Sequence, residues 1–448
     1  MLSRKPQKLD DMVKQISAVF HDVDFGVIKD DAREFFGTLE REGFVILGES
    51  AQECDEKDTK FSYRNIAPEI VDETLPLADL VLAKSTHEFL EEHFDGRPQL
   101  TNLHMEITSR CNERCIHCYI PGDHRITEME PSMFQDVLRQ CRDMNVLHLT
   151  ISGGEPMLHR NFIEFLSMCR EYEFSVNVLS NLTLLTDEII SEMKSNYLLG
   201  VQVSLYSMNQ EIHDQITRLK GSFEKTRSAI SRLIENDVPL QIACPIMKNN
   251  KGCYQDVVDW AKNLKIQAGD DYVILAKYNQ STENLSCRLS IEEVEEVIRG
   301  RVHKDAKYLE KMEDESLKRT NASVEDNVCS VCHSSICVNE RGNVYPCAGW
   351  QDYVVGNVKS MSLQEIWLHS ERVEYLRGLR KRDFPKCIQC TDGEFCTMCL
   401  VRNANEDASG DPLVTNAYYC AVAKLSKAIA HDGQYRPFQP LNSCSAEE

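Results

Sequence analysis

The sequence predicts an α/β protein: a partial, TIM-like (β/α)6 barrel, with a short helical segment before it and a cysteine-rich domain after it. Three observations carry this. From Leu103 to about Tyr278, short apolar runs alternate with amphipathic stretches, and alternation repeated so often implies parallel strands joined by right-handed crossovers. Six such units are too few for the common closed barrel of eight. Residues 9–48 show helical periodicity, and nine of the chain's 19 cysteines lie between 329 and 420.

Residues 9–48 read as two helices and a strand. Asp10 or Asp11 caps the first helix, whose apolar face is Met12, Val13, Ile16, Val19 and Phe20. The second, near 29–42, carries Ala32, Phe35, Phe36 and Leu39, stops at Gly43 and leads into a strand over Phe44–Leu47. This order suits a winged-helix reader of DNA, but the many acidic side chains of the segment argue against one. Residues 51–100 are charged and read as a helical linker. The barrel strands are expected at Leu103–Ile107, Leu147–Ile151, Ser175–Leu179, Val201–Leu205, Leu240–Ile246 and Tyr272–Ala276. Helices are expected near 131–143, 160–171, 186–195, 222–236 and 254–264, the fourth with Phe223, Thr226, Ile230, Leu233 and Ile234 on one face.

Composition narrows the function. A net charge of −21 over 448 residues disfavours nucleic acid or an anionic membrane as partner. The sequence has neither an N-terminal apolar signal core nor an apolar run long enough to span a bilayer. Many cysteines without an export signal read as metal or redox ligands, and the reducing cytoplasm is the expected compartment.

Two motifs carry the chemistry. Cys111, Cys115 and Cys118 form a Cys-x3-Cys-x2-Cys cluster, three thiolates able to hold three irons of a [4Fe-4S] cube and leave the fourth iron open. A zinc knuckle or scattered buried thiols are the plain alternatives. After the strand-like run Val146–Ser152 come Gly153, Gly154, Glu155 and Pro156, where the glycines let backbone approach closely and the carboxylate can accept from an amino group. The pair of motifs resembles the signature of the radical S-adenosylmethionine (SAM) enzymes. That resemblance implies a SAM molecule chelated to the open iron and cleaved on reduction to a 5′-deoxyadenosyl radical. It also implies the partial barrel, the Gly-Gly-Glu-Pro turn beside the SAM amino group, Ser180 and Asn181 near the ribose, and Ser204 near SAM. A helix cap or a solvent-facing strand serine is the plain reading of the last three. The run HDQITRLKGSF is similar to a family segment that carries an Arg-Gly pair, but here Thr217 and Arg218 stand in those two places.

The C-terminal cysteines are Cys329, Cys332, Cys337 and Cys347, then Cys387, Cys390, Cys396 and Cys399, and last Cys420. They resemble the SPASM extension of radical SAM enzymes, whose hairpin and loops hold two auxiliary [4Fe-4S] clusters. The resemblance implies Cys329, Cys332, Cys347 and Cys399 for the first and Cys387, Cys390, Cys396 and Cys420 for the second. Cys337 is the surplus thiol, either a core residue or a replacement for Cys329 or Cys332. Paired zinc sites are the competing reading. Cys54, Cys141, Cys169, Cys244, Cys253, Cys287 and Cys444 have no ligand spacing.

The N-terminal segment resembles part of the precursor-peptide recognition element of peptide-modifying radical SAM enzymes. Eight residues precede its first helix, too few for the strands with which that module pairs a leader, and a plain helical packing domain is the alternative. The expected organisation is 1–50 helical segment, 51–100 linker, 101–320 radical SAM core and 321–448 SPASM domain. The expected function is a maturase that abstracts hydrogen from a ribosomally made precursor peptide and forms a thioether or carbon–carbon cross-link. It would work with a flavodoxin or ferredoxin as reducing partner and without nucleic acid or membrane. An anaerobic sulfatase maturase and a non-catalytic iron–sulfur or zinc scaffold are the alternatives. No catalytic acid or base is assigned; Tyr206, His213 and Asp214 are candidates by position only.

Overall fold

The computed structural model describes residues 6–20, 23–41, 44–59, 98–122, 126–196, 198–305, 307–320 and 323–431. Gly43, Cys444 and most of the expected linker lie outside the described residues. The centre of the molecule is a nine-stranded sheet in the order β6-β5-β4-β3-β2-β1-β7-β8-β9. Strands β1 (Asn102–Thr108), β2 (His148–Gly153), β3 (Ser175–Ser180), β4 (Leu198–Ser204), β5 (Leu240–Ala243) and β6 (Gln267–Gly269) run parallel and leave the sheet open. On the other edge of β1, β7 (Ser335–Asn339) also pairs parallel, with Met105 opposite Val338. β7 turns back antiparallel into β8 (Asn343–Tyr345), and β9 (Gly356–Asn357) follows. The hairpin of the cysteine-rich region thus extends the barrel sheet itself.

Helices Pro131–Asp143, Phe162–Glu171, Asp187–Lys194, Ser222–Glu235 and Tyr254–Asn263 lie between the parallel strands. Local chemistry starts them. Pro131 opens the first, where a missing N–H costs nothing, and the Thr186 hydroxyl accepts from Ile189 N at the third. Their apolar stripes cover the sheet: Phe134 and Phe165 stack at 3.9 Å between the first two, over Leu103, Met105 and Ile107 of β1, each 0 % exposed. Such an aromatic pair contributes about 1 kcal/mol beyond its burial.

Several expectations need correction. Tyr272–Ala276 is not a strand; the sixth strand is Gln267–Gly269. Pro245 lacks the N–H that a ladder needs, so β5 stops at Ala243. Beyond it only isolated bonds remain, Cys244 N to Gly269 O and Ile246 N to Asp271 O, both 2.7 Å. Phe44–Leu47 forms no strand, which removes the winged-helix comparison. The first helix, Leu9–Ser17, is preceded by Lys8 without a side-chain cap, and Asp10 and Asp11 sit inside its first turn. Val19 and Phe20 lie beyond it and are exposed. The second helix begins earlier, at Phe25. Of the linker, Ala51–Thr59 is helical. A short helix at Gln210–Thr217, capped by Asn209, was not expected. No helix among the described residues is long and apolar enough to cross a membrane.

Candidate functional site

The motifs meet at the C-terminal ends of β1 to β4. β1 ends at Thr108 and β2 at Gly153, neighbours in the sheet, so the cysteine loop and the Gly-Gly-Glu-Pro turn leave the same edge together. Gly154 N donates to Thr108 O at 2.7 Å and Glu155 N to Arg110 O at 2.8 Å. This contact requires glycine. Gly153 has φ +147°, and a Cβ there would lie 2.1 Å from Thr108 O; one on Gly154 would lie 2.2 Å from Arg110 O.

The turn delivers Glu155 into the interior, where it is 1 % exposed. Its Oε1 accepts from Ser180 Oγ (2.7 Å) and Met157 N (3.0 Å), and its Oε2 from Asn181 N (2.8 Å). Residues singled out at the ends of two different strands therefore meet at one carboxyl group. Burial pushes Glu155 up to about 7, against the bonds from Asn181, Ser180 and Met157 that favour the ionised form. Pro156 follows in a single 3-10 turn. The Asn181 side chain donates to Asn112 Oδ1 at 3.0 Å, and Asn112 to Thr183 Oγ1 at 2.7 Å, which ties the cysteine loop to the loop after β3.

The cysteine loop is fixed from its other side by Arg114 N to Thr217 O (2.9 Å) and Ile116 N to Ile216 O (3.0 Å). Cys111, Cys115 and Cys118 are half-buried on it. The Cys115 thiol is pushed up by burial first, then by Glu113 and by its two companion thiols, so the three feel one another's charge. Bound iron relieves that repulsion and requires the deprotonated form. Ser204 ends β4, half-buried.

The positional candidates lie in local hydrogen bonds. Asp214 accepts from Gly221 N (2.6 Å), Ser222 Oγ (2.9 Å) and Phe223 N (3.0 Å), which starts the next helix. His213 Nδ1 accepts from Tyr206 N at 3.3 Å, and the Tyr206 hydroxyl lies 3.4 Å from His117 Nε2. Arg218 caps the helix Gln210–Thr217 with φ +55°, a left-handed conformation that glycine adopts more easily.

The C-terminal thiols fall into two groups. Cys332 and Cys347 each feel the Cys329 thiol, Cys347 also feels Cys399, and in all of these the largest effect is burial. Cys387 and Cys396 are likewise pushed up by burial and then by Cys420 and Cys390, and Cys420 by burial and then by Cys390 and Asp392. Backbone amides of Val331 and Leu400 lie against the Cys329 thiol, and those of Ala348 and Gly349 against Cys347. Counting Cys337, the first group brings five thiols near one another and the second four, with Asp392 beside Cys420; sets so rich in thiols, with amides at the sulfurs of Cys329 and Cys347, fit iron–sulfur cubes. Among the described residues no three His, Cys, Asp or Glu side chains converge as ligands of one metal ion. Cys337 sits in β7, 5 % exposed, beside Cys347 and Cys332. The bond from Asn405 Nδ2 to Ala276 O (3.2 Å) and Gly349 O (2.8 Å) joins this region to the barrel. Sequence reading passed over Glu106, a buried carboxyl on β1; its lone acidic letter inside an apolar strand was the available signal.

Comparison with known proteins agrees with this arrangement. The profile of the radical SAM superfamily matches residues 105–261, and that of the SPASM iron–sulfur cluster-binding domain matches 329–391. The chain is 24 % identical over 330 residues to the antilisterial bacteriocin subtilosin biosynthesis protein AlbA of Bacillus subtilis, covering 72 % of each chain. It is 25 % identical over 341 residues to the AdoMet-dependent heme synthase of Methanosarcina barkeri, covering 70 % of this chain and 94 % of the relative. Among solved structures, Streptococcus suis SuiB bound to the precursor peptide SuiA superposes with a TM-score of 0.58 at 14 % identity, over 87 % of this chain and 89 % of that one.

Proposed function

We propose that this chain, a radical SAM enzyme with a SPASM domain, matures a ribosomally made precursor peptide by forming a thioether or carbon–carbon cross-link. The observation that carries the reading is the pairing of a radical SAM profile with two separate groups of neighbouring thiols after it, on a chain similar over 330 residues to a bacteriocin biosynthesis protein. When bound, the reduced SAM-binding cluster supplies a 5′-deoxyadenosyl radical able to abstract hydrogen from a peptide carbon.

The chain's own residues supply the placement. Cys111, Cys115 and Cys118 hold three irons of the SAM-binding cube. Gly153 and Gly154 press the turn against the cysteine loop, and Pro156 fixes its exit. Glu155 keeps about one of roughly four carboxylate lone-pair sites free of protein donors, which would accept from the SAM amino group. Ser180 and Asn181, held at Glu155, would lie toward the ribose, and Ser204 at the end of β4 would border the same molecule. Cys329, Cys332, Cys347 and Cys399 hold one auxiliary cluster, and Cys387, Cys390, Cys396 and Cys420 the other. An auxiliary cluster held there would offer an acceptor for the electron released on cross-linking, and a flavodoxin or ferredoxin is the proposed reducing partner. We assign 1–50 to a helical segment, whose described helices share a small core of Val13, Ile28 and Phe36, 101–320 to the radical SAM core and 321–448 to the SPASM domain.

Co-expression with any short cysteine-bearing reading frame found beside its gene tests the reading. A peptide that loses 2 Da per cross-link, about the mass of two hydrogens, only with Cys111, Cys115 and Cys118 intact supports it. Conversion of a cysteine or serine to formylglycine, or decarboxylation of a porphyrin with every peptide unchanged, would overturn it.

A further inference from the structure

Glu106 stands on β1 five residues ahead of Cys111 and belongs to neither motif. Alternation along the strand gives Leu103, Met105 and Ile107 to the helix-covered face and turns Glu106 to the other. It is 1 % exposed. The Tyr345 hydroxyl and the Gln351 side-chain amide, both from the hairpin side, donate to its Oε2. Its Oε1, equally buried, has no hydrogen-bond partner among the described residues. The carboxyl borders a cavity of about 150 Å³ that also touches Thr108, Ser109, Gly153, Asn339, Arg341 and Asp352. Gly153 makes the cavity adjoin the Gly-Gly-Glu-Pro turn, and the other walls come from β1 and from the β7–β8 hairpin.

Which oxygen carries a proton follows from the donors. Two N–H and O–H groups already fill Oε2, so a neutral carboxyl has its proton on Oε1, toward the free side. Burial, reinforced by the nearby Glu340, pushes Glu106 up to about 8. Tyr119, Tyr345 and Cys337 also face it and are themselves held neutral by burial. On the cavity wall Arg341 is offset by Glu340, 3.4 Å from its Nε, and by Asp352, so the comparison with a cation is part of the test.

We propose that this cavity receives an uncharged amide carbonyl of the substrate, from the main chain or an Asn or Gln side chain, and that Glu106 Oε1 donates the hydrogen bond that holds it. This rests on the peptide reading above. It makes Glu106 a binding residue of the substrate pocket, next to the SAM site and roofed by the SPASM hairpin.

The test uses anaerobically reconstituted holoprotein, titrated by ligand-observed NMR with N-acetylglycine N-methylamide as a neutral diamide and with methylammonium chloride as a cation. Glu106→Gln keeps a carbonyl oxygen for Tyr345 and Gln351 and turns its NH2 to the cavity, so donation survives. Glu106→Ala removes it; if that variant loses iron, Glu106→Met, of similar volume and without a donor, takes its place. The expected result is diamide binding within threefold for wild type and Glu106→Gln, about tenfold weaker without a donor, and no binding of methylammonium. Glu106→Gln as weak as Glu106→Ala, equal binding in every variant, no diamide binding at all, or preference for methylammonium would each overturn it. Iron content and peptide-free SAM cleavage report whether the fold and SAM site are intact. Retained diamide binding with no peptide product refutes peptide maturation alone, whereas a cross-linked product without diamide binding refutes only this pocket.

Discussion

Glu155 gives the sharpest quantitative expectation, because a proton and SAM compete for one position. Three donors, from Ser180, Met157 and Asn181, already lie on its oxygens. A carboxylate offers about four lone-pair sites, so the last takes either a proton or the SAM amino group. Burial sets the midpoint at about 7. The ionised fraction then changes from about nine-tenths at pH 8 to about one-tenth at pH 6, and SAM affinity should fall about tenfold between them. Glu113, pushed up to about 7 by burial, also feels the charge of Glu155. In Glu155→Gln the amide must turn its NH2 toward at least one protein donor, which together with the lost charge should weaken SAM about tenfold or more. The variant should also lose the part of the pH dependence that belongs to this group. The sign for stability is opposite: a carboxyl whose folded value is raised contributes stability below its unfolded value of 4.5 that is lost as pH rises through about 7. Equilibrium dialysis of labelled SAM against oxidised holoprotein from pH 6 to 8 provides the assay. Identical pH profiles and affinities for wild type and Glu155→Gln would refute the reasoning.

Four further outcomes follow from the geometry. Gly154→Ala forces a Cβ to 2.2 Å from Arg110 O; the cysteine loop must shift, and iron analysis should show loss of about four irons, with the C-terminal ones retained. Arg218→Gly relieves the φ of +55° and should stabilise by about 0.5–1 kcal/mol, seen as a higher melting temperature; an unchanged or lower one contradicts the strain. Cys347→Ala should cost an auxiliary cluster, whereas Cys337→Ala, in the buried face of β7, should keep the full iron content; equal losses would make Cys337 a ligand. Arg288 and Glu406 pair at 2.6 Å with 13 % and 15 % of their side chains exposed, and breaking a buried pair by Arg288→Ala should destabilise by about 3 kcal/mol in chemical denaturation.

The legible parts of the fold were those with strong local signal. β1 to β4 and the five helices between Pro131 and Asn263 are long, apolar on the expected faces and bounded by turn residues, and they form within a few residues of expectation. The cysteine loop and the Gly-Gly-Glu-Pro turn could be placed because each follows such a strand. The sixth strand was misplaced because its three residues, Gln267–Gly269, carry no apolar pattern, while Tyr272–Ala276 has a strand's composition but no ladder beyond Pro245. Parallel pairing of β7 with β1 joins segments far apart in the chain, and no local pattern announces it. For the same reason Glu106 looked like one acidic letter in a strand until Tyr345 and Gln351 arrived from the hairpin to define its free oxygen.

The claim on which the rest stands is that eleven thiols hold three cubes, one of them open to SAM. Iron and acid-labile sulfide in anaerobically purified protein, wild type against Cys111→Ala/Cys115→Ala/Cys118→Ala, measure it directly. The account predicts about twelve irons falling to about eight. About four irons accompanied by stoichiometric zinc would contradict it and leave the C-terminal domain a structural zinc module.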